Sequence, residues 1–211
     1  MKLGDTLTLG RYADEPIHWI AIAEKEDSFL LLSRDILEYR PFHSVDGPVG
    51  EGDFTEGAYT ASWPNCDLRL WLNGDFFTAA FTAEEAAHIP TCTLISPTDF
   101  RSLYSHFPGK KETEDRLFIL TEDEAKEYLT GKAFFRAQRT PHALARYEAA
   151  EKSSLLLEGG AWWLRSYGSS AFSVYMRCVY NPDWSRTAAS QCNAVVNAQD
   201  VGVRPAMWYR P

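Results

Sequence analysis

Four cysteines and five histidines are the residues of this chain best suited to chemistry, and their spacing argues against most of it. Cys66, Cys92, Cys178 and Cys192 form neither a C-x-x-C pair nor a Cys/His metal pattern, so a structural zinc site is not expected. His18, His43, His88, His106 and His142 are scattered, and none stands in a recognisable nucleophile–base or metal spacing. Glu84-Glu85 and Asp123-Glu124 look like paired carboxylates, but each falls in the first turn of a helix opened by a capping box. Asp183, Asn193, Asn197 and Asp200 offer oxygen atoms for calcium without an acidic motif to gather them. No catalytic residue, metal or cofactor is therefore assigned from the residues.

The last 53 residues, Gly159 to Pro211, contain no Lys and no Glu, whereas the first 158 carry all 7 Lys and all 16 Glu. Interface cores deplete both residue types and enrich Tyr, Trp and Arg. The stretch from Tyr167 to Val201 thus reads as a contact surface between two anchors, Ala161-Trp-Trp-Leu-Arg-Ser166 and Gly202-Val-Arg-Pro-Ala-Met-Trp208. The alternative is a Lys/Glu-poor β-region of a core. In the anchors, Arg165 and Arg204 are expected as buried guanidinium groups that tie strands together, and Trp162 and Trp163 as packing residues rather than a sugar-stacking platform.

A hydrophobic fraction of 45% with 29 aromatic residues suffices for a sizeable core. The net charge of −8 argues against a nucleic-acid partner. That charge is uneven, at −11 over residues 1–158 and +3 over 159–211. No apolar run is long enough to span a bilayer, and Met1-Lys-Leu-Gly-Asp5 leads straight into a strand pattern, so no membrane insertion and no signal peptide are expected. That leaves cytoplasmic residence with reduced thiols as the default, or display by another route. A Cys178–Cys192 bridge across neighbouring strands is the minor alternative.

The elements follow from periodicity. Leu7–Tyr12, Ile17–Ile22 and Phe29–Ser33 read as strands, with a turn at Glu15-Pro16 and a polar hairpin loop from Glu24 to Ser28. Asp46–Gly57 reads as a loop. Leu68, Trp71, Leu72 and Phe76 share one helical face within a helix over 65–77. Thr82-Ala-Glu-Glu85 and Thr121-Glu-Asp-Glu124 are capping boxes, and Thr140-Pro141 opens a further helix running to about Lys152. After Gly159-Gly160 the pattern is β-like, with strands at 162–164, 172–175, 178–180, 193–196 and 201–204. The expectation is a single α+β domain over residues 1–211.

Gly4-Asp5, Leu9-Gly-Arg-Tyr12, Pro16-Ile-His-Trp-Ile20, Trp63-x-x-Cys-x-Leu-Arg-x-Trp-Leu-Asn73 and Arg116-Leu-Phe-Ile-Leu120 resemble an uncharacterised bacterial domain family of gut Firmicutes. The likeness extends to Trp162-Trp-Leu-Arg-Ser166 and Gly202-Val-Arg-Pro-Ala206, and covers nearly the whole chain. This C-terminal pair also resembles the ends of the C-type-lectin-like fold, in the branch of the formylglycine-generating enzymes. That branch includes the target proteins of diversity-generating retroelements, whose reverse transcriptase copies a template with errors at adenines. An Asn codon diversified at its adenines cannot yield Lys, Glu, Gln, Met or Trp, so a Lys/Glu-free block before a Gly-Val-Arg-Pro-Ala end has that signature. Met176, Trp184 and Gln191 would then be fixed positions. The chain departs from the pattern at Tyr167-Gly168, where Pro-Gly is usual, and at Asn181-Pro-Asp183.

The resemblance implies a non-enzymatic protein that binds a protein or glycan ligand. Tyr167, Ser169, Phe172, Tyr175, Arg177, Tyr180, Asn181, Trp184, Asn193, Asn197 and Asp200 would form one exposed surface, with Val174, Val179, Val195, Val203 and Met207 facing the core. Two rivals are an enzyme of this fold with Cys178 or Cys192 as the reactive group, and an interaction module with an invariant partner. The closely spaced cysteine pair of formylglycine-generating enzymes is absent, since Cys178 and Cys192 lie 14 residues apart.

Overall fold

The computed structural model describes residues 1–44, 61–95, 112–129, 137–152, 160–167, 175–180 and 190–211. The chain begins as a meander of β1 (Thr6–Tyr12), β2 (Glu15–Lys25) and β3 (Ser28–Ser33). Tyr12 pairs with Glu15, so the first hairpin turns on Ala13-Asp14 rather than at Glu15-Pro16. Both turn residues have positive φ, 49° and 64°, the conformation that matches the twist of paired strands. The second hairpin is likewise tighter than the five-residue loop expected. Glu24 and Lys25 still pair, with Phe29 and Ser28, and the chain reverses at Glu26-Asp27.

β11 (Ala206–Tyr209) lies antiparallel beside β3, completing a four-stranded sheet in the order β1-β2-β3-β11. The two ends of the chain therefore share one sheet. A second sheet has the order β4-β10-β7-β8-β9, formed by β4 (Glu38–Tyr39), β7 (Trp162–Tyr167), β8 (Tyr175–Tyr180), β9 (Ser190–Val195) and β10 (Gly202–Val203). Its pairings are antiparallel except that of β10 with β7. β5 (Cys92–Ile95) and β6 (Glu112–Asp115) make a separate ribbon. Strands β4, β5 and β6 are two to four residues long and carry no alternation long enough to be read in advance.

The helices are short. The helical face read over 65–77 is delivered by α1 (Asp67–Trp71), a π-turn over Leu72–Phe76 and α2 (Phe77–Ala80), with Leu68, Leu72 and Phe76 buried. Thr82 caps α3 (Ala83–Ala87) in the expected capping box, accepting from the Glu85 amide. Thr121 does the same for α4 (Glu122–Leu129), accepting from the Glu124 amide. Thr140 caps α5 (Pro141–Ala149), which stops short of the expected Lys152. One cluster of buried apolar side chains draws on both sheets, including Trp19, Leu31, Phe76, Phe118, Trp162, Trp163 and Met207. Among the described residues no helix is long and apolar enough to cross a membrane.

Gly10 sits at the bulge in β1 with φ +76°, and a Cβ there would lie 2.7 Å from Phe81 and 2.8 Å from the Ala80 carbonyl. Its amide donates to Glu85 Oε1 at 2.9 Å, which ties the bulge to α3. Gly10→Ala is expected to destabilise the protein by about 1–3 kcal/mol, combining left-handed strain with overpacking against backbone. Chemical denaturation checks this, and a loss below about 0.5 kcal/mol would mean the bulge relaxes freely.

Candidate binding surface and its anchors

The two C-terminal motifs are built as rigid supports. Ala161 to Ser166 are all buried, and so are Val201 to Met207. Arg165 is 3% exposed and donates to the carbonyls of Ile119 and Ile95 and to Glu124 Oε1, at 2.9, 3.3 and 2.7 Å. Burial lowers its pKa, a shift that the nearby Glu124 carboxylate opposes. Arg204 is fully buried and donates through Nε to the Ser33 carbonyl at 2.7 Å and through Nη2 to that of Arg34 at 3.3 Å. Its guanidinium carbon lies 5.2 Å from the centre of the Trp162 ring, and burial pulls its pKa down to about 9. Trp163 Nε1 donates to the Arg40 carbonyl at 2.9 Å. These residues act as the strand-tying and packing groups expected of them.

Between the anchors, β8 and β9 form the outer part of the second sheet, with β9 at its edge. Tyr167 ends β7, Tyr175, Arg177 and Tyr180 lie on β8, and Asn193 lies on β9 directly opposite Arg177. Buried Ala194 and half-buried Val195 mark the more and the less buried faces of β9. Tyr175 pairs with Val195, so the positions of Tyr175, Arg177 and Asn193 share the less buried face, together with that of Val179, which was expected in the core. The position of Tyr180 falls on the other face, as does that of Tyr167, which pairs with Met176. Ser169, Phe172, Asn181 and Trp184 lie outside the described residues, as does Val174 of the expected core set.

One expectation here needs correction. Asp200 is 1% exposed, so it is an internal residue of the turn between β9 and β10, not an exposed contact. Asn197, in the same turn, is half-buried. Val195 is half-buried and packs against the core cluster. β9 ends there, and Val196, at 1% exposure, fills the inward place on the parity of Ala194. Val203 and Met207 are fully buried as expected.

Beside the anchors lies a charged centre that local spacing could not reveal. Glu38 on β4 is buried and accepts four hydrogen bonds, two on each carboxylate oxygen. Oε1 takes the Tyr39 amide and Arg146 Nε, both at 2.9 Å, and Oε2 takes the Tyr12 hydroxyl at 2.8 Å and His142 Nε2 at 3.1 Å. His142 and Arg146 come from α5, more than a hundred residues away in sequence. Tyr12 packs edge-on against His142 and near Phe76 and Trp71, and the Arg40 guanidinium lies 4.3 Å over the Trp71 ring. Burial alone would raise the Glu38 pKa, but His142, Tyr12, the Tyr39 amide and Arg146 together hold it below its ordinary value. Burial and the Glu38 carboxylate push the Tyr12 hydroxyl well above its usual range. With its four lone-pair positions occupied, Glu38 is a tie between β1, β4 and α5 rather than a free general base.

The depressed Glu38 pKa gives a pH dependence. A carboxylate whose folded pKa lies below its unfolded value stabilises the fold fully above that value, ordinarily 4.5, and loses the contribution as pH falls through the folded pKa. Glu85 is depressed in the same way, chiefly by the Thr82 amide. Thermal melts should therefore fall steeply below about pH 4.5. Glu38→Gln should lower stability at neutral pH and flatten that acid limb, and an acid limb as steep as in the parent chain would refute this role for Glu38.

Burial raises the thiols of Cys66 and Cys92 to about 12 and about 11, and each donates to a backbone carbonyl, of Trp63 and Asp115 respectively. Asp115 is internal and accepts from Trp63 Nε1, Arg69 Nε and Thr113 Oγ1 at 3.0, 2.7 and 2.7 Å. No cluster of three or more potential metal ligands occurs among the described residues.

An α+β protein of antiparallel sheets and short helices, whose two ends close one sheet, is the class these features define. The chain belongs to the family described as Domain of unknown function (DUF6273), whose model matches residues 26–211. No curated protein and no solved structure matches it.

Proposed function

We propose that this protein is a non-enzymatic ligand-binding protein with a C-type-lectin-like fold, and that its C-terminal region presents a surface diversified by a retroelement. The single observation that carries the reading is the Lys- and Glu-free block from Gly159 onward, framed by two anchors in which Trp162, Trp163, Arg165 and Arg204 are buried. An arrangement of fixed internal anchors around edge strands suits a surface whose residues change while the scaffold does not. The pairing of the first and last parts of the chain in one sheet, with the second sheet formed by the sequence between, supports the lectin-like reading.

The positions of Tyr175, Arg177 and Asn193 on the less buried face mix aromatic, cationic and short polar character. Binding loops use that mixture to obtain rigid contact area at low entropic cost. The ligand is a protein or glycan. The saturated Glu38 carboxylate and the high thiol pKa values of Cys66 and Cys92 favour binding over catalysis at those groups. Inspection of the gene's neighbourhood tests the proposal. A reverse-transcriptase gene and a near-repeat of the DNA for residues 159–211, differing at template adenines, are expected. A locus lacking both would remove the diversification claim.

A further inference from the structure

We infer that Cys178 and Cys192 form a redox-responsive disulfide site that staples the edge strand β9 to β8. The register pairs Cys178 directly with Cys192, inside six consecutive pairs from Tyr175↔Val195 to Tyr180↔Ser190 without a bulge. Directly opposed residues of an antiparallel pair share a face, with Cα atoms about 4.5 or about 5.5 Å apart depending on their place in the ladder. Both separations fall inside the range of about 4.4–6.8 Å that a disulfide requires, so no backbone movement is needed. Among the described residues β9 has β8 as its one neighbour in the sheet, so a bond here fixes a strand that they hold from a single side. A one-residue slip of an edge strand would turn Asn193 and Val195 to the opposite face, and a covalent bond at the pair forbids it. Neither Cys66 nor Cys92 faces another cysteine in a strand, since Cys92 lies opposite Asp115 and Cys66 immediately precedes α1, so the opposed pair is the one placed to bridge.

The oxidant is a small-molecule or protein disulfide. One thiolate of the pair attacks a sulfur of that disulfide and expels one thiol, leaving a mixed disulfide. The second thiolate then attacks the protein sulfur of that mixed disulfide and expels the second thiol. The two cysteines lose two electrons, the oxidant is reduced to two thiols, and the two protons end on those thiols.

The full-length chain is incubated with oxidised glutathione at about pH 8, blocked with maleimide under denaturing conditions and weighed intact. The expected product has lost two hydrogens and carries two maleimide groups, on Cys66 and Cys92. Trypsin should leave the peptide that starts at Cys178 joined to the one that starts at Thr187. Cys192→Ser should keep a single glutathione on Cys178 in place of the bridge. Four maleimide groups, glutathione retained on both cysteines of the parent chain, or a bridge involving Cys66 or Cys92 would overturn the inference. None of these readouts involves a ligand, so failure here leaves the binding proposal standing, and a negative gene-neighbourhood result leaves the staple standing.

Discussion

Trp162→Ala should unfold most of the protein at moderate denaturant, with a loss of about 3–5 kcal/mol from the deleted ring and the cavity it leaves. Trp162 is 1% exposed, its ring faces Arg204, and its backbone joins β10 through the pairing with Gly202. A Cβ on Gly202 would lie 2.6 Å from Ile36, so the backbone approach beside Trp162 leaves little room for collapse into the void. Total stabilities of domains are about 5–15 kcal/mol, which makes this loss a large part of the whole. Urea titration followed by Trp fluorescence and by far-ultraviolet circular dichroism measures it. A loss under about 1 kcal/mol would place the ring at a surface and remove the case for the first anchor.

Arg204→Ala should have a comparable effect, again about 3–5 kcal/mol, for a different reason. Here the buried Ser33 carbonyl and the part-buried Arg34 carbonyl lose their donor, and the contact across Trp162 goes with them. Arg204→Lys should recover only part of the loss. An ammonium keeps the charge but cannot direct a planar fork at two successive carbonyls. Equal stability of the Lys variant and the parent would show that charge alone, not the fork, holds the β10–β11 corner against β3.

What was legible in the sequence was local. Thr82, Thr121 and Thr140 announce their helices because a cap and its partner lie three residues apart, a spacing the helix itself imposes. β1 was legible from its local alternation, and β2 and β3 from short apolar runs separated by polar turn residues. The Glu38 centre was not, because Tyr12, Glu38, His142 and Arg146 meet only through the packing of α5 against β4. β4 itself is two residues long and leaves no periodic trace. Asp200 misled because acidic residues in turns are mostly exposed, and only tertiary packing buries this one. Val195 and Val196 are indistinguishable by type, and the point where β9 ends decides which of them is fully buried and which packs at the core's rim. The candidate surface was legible as a composition, an absence of Lys and Glu, but composition has no faces. Only the register of β8 and β9 separates the positions of Tyr175, Arg177 and Asn193 from that of Tyr180.

The central claim is that a diversified binding surface is mounted on a fixed scaffold. The most direct measurement is deep sequencing of this gene across a population of the source organism. The account predicts that amino-acid changes concentrate at positions such as Tyr175, Arg177 and Asn193, at codons related by adenine changes in a template. Trp162, Trp163, Arg165 and Arg204, together with residues 1–158, should stay constant. Changes spread evenly along the chain, or a C-terminal segment as invariant as the anchors, would contradict it.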